Sequence, residues 1–120
     1  FDVILNMEVI EHVQNIEIFI SSCQSLLNPG GIMFVATLNR TLKSYIFAII
    51  GAEYILRWLP KGTHNWNNFV KPSELRRYCL KSGLIPKDFK GMTFSPIENS
   101  WSITNNLAIN YIGHVTKKNL

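Results

Sequence analysis

A strand, a helix and a second strand follow one another in residues 1–38, and this order constrains the fold more than any other feature. The apolar, β-branched run "FDVILNM" (1–7) predicts a fully buried parallel strand. Residues 15–27 carry apolar side chains at helical spacing, and "NPGG" then ends the helix, because proline cannot continue it. "IMFVATL" (32–38) predicts a second buried strand. The βαβ order indicates an α/β fold with a parallel sheet and a right-handed crossover.

The second half of the chain predicts one more helix and two closing strands. "KPSELRRYCLKSGL" is typical of a helix with Ser73 as its N-cap and Gly83 at its end. Residues 85–95 predict a strand, and "ENSWSITNN" (98–106) a loop or hairpin connection. The alternation in residues 107–117 predicts a last strand that is antiparallel and at an edge.

Composition places the chain among globular domains. It has 120 residues, 47% of them apolar and 17% charged, which suits one domain with one modest core. The net charge of +4 is compatible with a nucleic acid or an anionic membrane and is too small to decide between them. Cys23 and Cys79 lie far apart without metal-ligand spacing, so we expect two buried thiols in a reducing compartment.

The sequence begins inside a predicted strand, without an initiator methionine or a signal-type segment. We therefore expect a piece of a longer protein that lacks its amino-terminal part.

Two carboxylates and an imidazole follow the first strand, in "NMEVIEHV" (6–13). Glu8, Glu11 and His12 are spaced i, i+3 and i+4, so a helical turn would place them on one face. Their oxygen and nitrogen donors suit a divalent ion such as Mg²⁺ or Mn²⁺, though not exclusively.

Three stretches together resemble the ubiquinone biosynthesis O-methyltransferase family. They are "MEVIEHV", the turn "NPGG", and the long run "IIGAEYILRWLPKGTHNWNNFVKPSEL" (49–75). The resemblance covers the whole chain. It implies the carboxyl-terminal half of a class I S-adenosylmethionine-dependent methyltransferase, with a mostly parallel Rossmann-like sheet whose last strand is antiparallel.

The resemblance also implies roles for individual residues. Met7 would contact the cofactor S-adenosylmethionine, whereas Glu8, Glu11 and His12 would hold a metal chelated by the oxygens of a catechol substrate. The glycine-rich loop and the acidic residue that bind the nucleotide in such sheets would precede Phe1.

His12 has two possible catalytic roles, metal ligand or general base for the phenolic proton. A third interpretation is structural, because Glu11 and His12 can also cap a helix start or bond the cofactor loop. Met7, likewise, can be an ordinary core residue.

An apolar stretch with basic residues occupies positions 39–61, within an insertion at about 39–70. Four cationic side chains against one glutamate leave a charge of +3, close to Tyr45, Phe47 and Trp58. Its longest uncharged run is far below the ~20 residues of a membrane span. The pattern predicts contact with an anionic membrane surface, a lid over the active site, or both.

The resemblance implies O-methylation of a polyprenylated phenol or catechol in ubiquinone biosynthesis. We expect a peripheral protein on the cytoplasmic side of the inner membrane, or on the matrix side of mitochondria, without a nucleic-acid partner. Other quinone-biosynthesis enzymes are further candidate partners. Two alternatives stay open: a small-molecule methyltransferase without metal, and a non-catalytic membrane-binding fragment.

Overall fold

Five strands form one mixed sheet in the computed structural model, which describes residues 1–40, 66–95, 97, 98 and 100–119. The strands are β1 (Val3–Met7), β2 (Ile32–Leu38), β3 (Leu84–Ser95), β4 (Ser100–Thr104) and β5 (Asn110–Lys117). The helices are α1 (Ile16–Leu26) and α2 (Pro72–Lys81), with short 3-10 turns at Ile10–His12 and Trp66–Asn68. The strand order is β1-β2-β5-β3-β4.

The predicted βαβ unit is confirmed. β1 and β2 pair in parallel, with Val3 opposite Ile32, and α1 connects them. Asn15 caps α1, because its side-chain oxygen accepts a hydrogen bond of 3.1 Å from the Ile18 N–H. Gly30 follows the helix end with φ +79°, a left-handed conformation that suits glycine.

The last strand is antiparallel as predicted, but its position at an edge is wrong. β5 lies between β2 and β3 and pairs antiparallel with both. The segment 98–106 forms the hairpin strand β4, which pairs along β3. Because β4 covers the outer side of β3, the sheet ends at β4 instead of β5.

Helix α2 begins earlier than predicted. Its N-cap is Lys71 and not Ser73, because Pro72 already takes the first helical position, where its missing N–H costs nothing. Glu74 then accepts a hydrogen bond of 2.9 Å from the Lys71 backbone N–H. Gly83, at φ +87°, lies past the helix end as predicted.

Both helices contribute to one hydrophobic core on a single face of the sheet. The core joins residues of α1, α2 and alternate positions of the central strands: Ile20, Cys23, Leu27, Met33, Val35, Leu75, Cys79, Tyr111 and Val115. The two cysteines are free, buried thiols, as expected. Burial raises the pKa of Cys79 to about 12, so this thiol stays neutral at physiological pH.

The outer face of β1 departs from the prediction of a fully buried strand. The side chains of Val3, Leu5 and Met7 are 53%, 63% and 44% exposed. They share one face because side chains alternate along a strand, and only the opposite face, with Asn6, turns toward the core. Among the described residues β1 has one neighbouring strand, so its other edge is open.

The predicted membrane-contact stretch, 39–61, lies outside the described residues from position 41 onward. Most of the predicted insertion at about 39–70 lies outside them as well. Among the helices that the model describes, none has the length and apolar character needed to cross a bilayer.

Candidate functional site

The candidate site begins where β1 ends. Glu8 has φ +57°, a left-handed conformation that is uncommon for a residue with a side chain. Its backbone N–H donates a hydrogen bond of 2.7 Å to the carbonyl of Ala36 on β2. The chain therefore turns sharply out of the sheet at Glu8 and enters the 3-10 turn Ile10–His12.

Glu11 is a buried carboxylate in that turn, only 4% exposed. The buried Thr37, at the end of β2, donates a hydrogen bond of 2.7 Å from its hydroxyl to Glu11 Oε2. The other carboxylate oxygen, Oε1, lies 3.9 Å from Nε2 of His12, whose side chain is 60% exposed. Glu11 therefore links the interior of the sheet to a solvent-accessible imidazole.

The structure brings Glu11 and His12 together but not Glu8. The shared helical face expected for these residues is wrong, because the left-handed backbone at Glu8 interrupts the helix and the turn spans only Ile10–His12. Within the described part of the chain, no group of three His, Cys, Asp or Glu side chains is placed to hold a metal ion.

Met7 lies at the carboxyl end of β1, opposite Ala36 of β2. Its side chain is 44% exposed and so is not a core residue of the described structure. It stands one residue before the turn at Glu8. A ligand at the carboxyl ends of the parallel strands would be within its reach.

A cavity of about 430 Å³ opens beside Glu11. It lies between the segment after β1, the end of β2 and the start of α2. Its lining residues include Glu11, Asn15, Glu17, Arg40, Asn67, Asn68, Phe69, Val70, Glu74 and Tyr78. Three glutamates against one arginine give this lining a formal charge of −2, which favours a cationic ligand over an anionic one.

Arg40 and Glu74 form an ion pair at the cavity wall, with Nη2 and Oε2 2.8 Å apart. Arg40 also donates from Nη1 to the Phe69 carbonyl at 3.3 Å. Partial burial alone would raise the pKa of Glu74, but the Lys71 N–H and the Arg40 guanidinium outweigh it and lower the pKa below its ordinary value. The pair thus stays charged at neutral pH.

Three residues near the cavity were not predicted as site residues from the sequence: Thr37, Arg40 and Glu74. Thr37 had a detectable signal, because it is the one hydroxyl in the apolar run "IMFVATL". A polar side chain in a buried strand needs a hydrogen-bonding partner. Arg40 and Glu74 are 34 positions apart and carry no local pattern that would pair them.

Solved structures define the class of fold. A methyltransferase from Thermotoga maritima, described as S-adenosylmethionine-dependent and as a possible histamine N-methyltransferase, matches 98% of this chain and 56% of its own. The TM-score is 0.66 at 19% identity. Magnesium protoporphyrin IX methyltransferase from Synechocystis matches with a TM-score of 0.61 at 17% identity, over 98% of this chain and 45% of its own. The chain thus has a partial class I S-adenosylmethionine-dependent methyltransferase fold.

The family follows from the sequence comparisons. A family model described as "Methyltransferase domain" matches residues 1–85, and the chain belongs to this methyltransferase-domain family. A ubiquinone biosynthesis O-methyltransferase from Pelagibacter ubique is 59% identical over 112 residues, which are 93% of this chain and 47% of that protein. One from Chelativorans sp. is 53% identical over 112 residues, 93% of this chain and 44% of that protein. The chain therefore spans less than half the length of these curated relatives.

Proposed function

We propose that the protein transfers a methyl group from S-adenosylmethionine to a phenolic oxygen of a polyprenylated substrate in ubiquinone biosynthesis. The observation that carries the proposal is the 59% identity over 112 residues with the Pelagibacter ubique protein of that name. The arrangement after β1 also supports the proposal, since Glu11 and His12 lie together there and Glu11 lines a cavity.

The chemistry requires a nucleophilic oxygen, and a phenol ionises only near pH ~10. S-adenosylmethionine supplies the methyl group on a positively charged sulfur. The phenolic oxygen forms a bond to the methyl carbon as the carbon–sulfur bond breaks, and the phenolic proton must leave. His12 accepts this proton in our proposal, and its 60% exposure allows release to water. Met7 contacts the cofactor.

The proposal is tested with the full-length gene product, S-adenosylmethionine and a prenylated catechol. We expect a product heavier by one methylene, with S-adenosylhomocysteine formed in equal amount, by mass spectrometry. His12→Gln should lower kcat strongly at unchanged cofactor affinity. The matched control His114→Gln, on β5, should leave kcat unchanged. Failure of the wild-type protein to methylate any phenolic acceptor would overturn the proposal.

A divalent metal at Glu8, Glu11 and His12 is a finer alternative within the proposal, in which His12 is a metal ligand instead of the proton acceptor. The donor types and the 3.9 Å separation of Glu11 and His12 support it. The described geometry does not complete the set, because Glu8 does not converge with the other two, and we assign no reaction step to the metal. Titration of Mn²⁺ into the full-length protein by calorimetry tests it. Binding that Glu11→Gln abolishes is expected, and absence of binding would overturn it.

A second, finer part of the proposal is contact with an anionic membrane surface through residues 39–61. We propose with it a peripheral location on the cytoplasmic side of the inner membrane, or on the matrix side in mitochondria. Its support is the charge of +3 and the neighbouring aromatic residues in the sequence. We expect the full-length protein to float with vesicles containing phosphatidylglycerol and not with phosphatidylcholine alone. Lys43→Glu and Arg57→Glu should weaken this binding, whereas the same change at Lys118 should not.

A further inference from the structure

Thr37 and Glu11 form a buried contact between two separate segments of the chain. The Thr37 hydroxyl donates to Glu11 Oε2 at 2.7 Å across 26 positions of sequence. Thr37 is 2% exposed and Glu11 is 4% exposed. Burying a carboxylate without a hydrogen-bond donor costs free energy, so the Thr37 hydroxyl stabilises Glu11 in its buried position.

Thr37 is well suited to hold a partner in place. Its strand, β2, pairs with β1 on one side and with β5 on the other, where Thr37 lies opposite Tyr111. The branched Cβ restricts rotation of the hydroxyl about χ1. The donor is therefore fixed by the centre of the sheet, whereas Glu11 belongs to a turn of three residues.

The contact also selects which oxygen of Glu11 is left for other partners. With Oε2 bound to Thr37, the oxygen nearest His12 is Oε1, 3.9 Å from Nε2. Glu11 also lines the cavity. The contacts Thr37–Glu11–His12 thus run from the sheet interior to a solvent-exposed imidazole. At 3.9 Å, Glu11 Oε1 lies beyond hydrogen-bond distance of His12 and acts on the imidazole as a neighbouring negative charge.

We propose that Thr37 is a positioning residue for methyl transfer: its hydroxyl fixes Glu11 so that the remaining carboxylate oxygen orients His12 toward the acceptor. This inference rests on the proposed function, because it concerns the same site. Thr37 itself touches neither substrate nor cofactor in this role.

The test compares Thr37→Val, which keeps the shape and removes the donor, with Thr37→Ser, which keeps the donor. In the full-length gene product we expect the valine variant to lower kcat by about 10- to 100-fold, because a small displacement of a catalytic group has effects of this size. The KM values should stay near wild type, and serine should restore most of kcat. Thr116→Val, a matched change on β5, should leave kcat unchanged.

Two further measurements distinguish the positioning role of Thr37 from a purely structural role. Calculating kcat per S-adenosylhomocysteine-binding site, counted by calorimetry, removes any loss of folded protein. In a Glu11→Gln background, Thr37→Val should cause little further loss of kcat, since coupled residues are not additive. If the valine variant does not fold, Thr37→Cys replaces it as the donor-weakened variant, because a thiol is only a weak donor, and it should also lower kcat relative to Thr37→Ser.

The possible failures are distinguishable. An active wild-type protein whose Thr37→Val variant has unchanged kcat per binding site would overturn the positioning role alone. Full additivity with Glu11→Gln would also overturn it. A wild-type protein without activity on phenolic acceptors would overturn the proposed function and the inference together.

Discussion

Glu8 shows how one backbone conformation determines the local geometry of the site. Its φ of +57° turns the chain out of β1, and its N–H bonds the Ala36 carbonyl at 2.7 Å. Strained conformations of this kind persist where surrounding structure enforces them, and they are frequent at functional sites. The i, i+3, i+4 spacing could not reveal it, because spacing predicts a shared face only along a continuous helix.

Substitutions at Glu8 distinguish the effect of its left-handed backbone on stability from the effect of its carboxylate. We expect Glu8→Gly to leave the free energy of unfolding unchanged or to raise it by about 1 kcal/mol, because relief of ~1–2 kcal/mol of left-handed strain offsets the entropic cost of glycine. Glu8→Ala, which keeps the strain, is the control. Urea unfolding of the full-length protein measures both. A clear loss of stability in the glycine variant would show that the carboxylate supports the fold.

The ion pair of Glu74 predicts a pH dependence. Because its folded-state pKa is lowered, the charged carboxylate stabilises the fold above the unfolded pKa of 4.5, and this contribution is lost as pH falls through the lower folded value. We expect Glu74→Gln to unfold at a lower temperature than wild type at pH 7. The difference should shrink below pH ~4. An equal difference at pH 7 and at low pH would contradict the assignment.

At the scale of elements, the carboxyl end of β2 ties together the parts of the molecule around the site. Thr37 bonds Glu11, and the Leu38 carbonyl accepts from the Val70 N–H at 3.2 Å. The Asn39 amide donates to the Leu107 carbonyl at 2.7 Å, and Arg40 bonds Phe69 and Glu74. Successive residues of one strand end thus hold the turn after β1, the start of α2 and the approach to β5.

The strands and helices themselves were largely predictable from the sequence. Apolar periodicity and the stop signals at "NPGG" and Gly83 located α1, β2 and the end of α2 within a few residues. The position of β5 was not predictable in this way, because alternation describes the two faces of a strand and not its neighbours. Glu11 and His12 were predicted as site residues from their chemistry, whereas Thr37 required the fold to show its partner.

Gly113 provides a test of packing between β3 and β5. It lies opposite Phe89, and a Cβ at Gly113 would overlap the Phe89 ring. We expect Gly113→Ala to destabilise the full-length protein by about 1–3 kcal/mol, because the core has no room for the added methyl group. Adding Phe89→Leu should recover part of this loss. Thermal or urea unfolding measures both, and a stable alanine variant would refute the contact.

At the scale of the whole molecule, the described structure has a covered face and an exposed one. Both helices contribute to the core on one face, while β1 presents Val3, Leu5 and Met7 to solvent. An open strand edge with apolar side chains favours association with other chains. We therefore predict that the 120 residues alone fold poorly and do not methylate.

Lysine at β1 should have opposite effects in two contexts. Val3→Lys with Leu5→Lys should increase the solubility of the isolated 120-residue chain, because charge on an edge strand opposes aggregation. In the full-length protein the same pair should lower the unfolding temperature, since we expect further sheet and helices to cover β1 there. Light scattering and calorimetry measure the two effects. An unchanged unfolding temperature would show that β1 stays uncovered.

The hydrogen bonds from Arg40 to Phe69 and Glu74 have a consequence for the length of chain that joins β2 to α2. They hold the end of β2 beside the start of α2. Lengthening the intervening stretch costs little, about 0.6 kcal/mol per doubling of its length. We expect insertions between residues 40 and 69 to leave the end of β2 and the start of α2 in place.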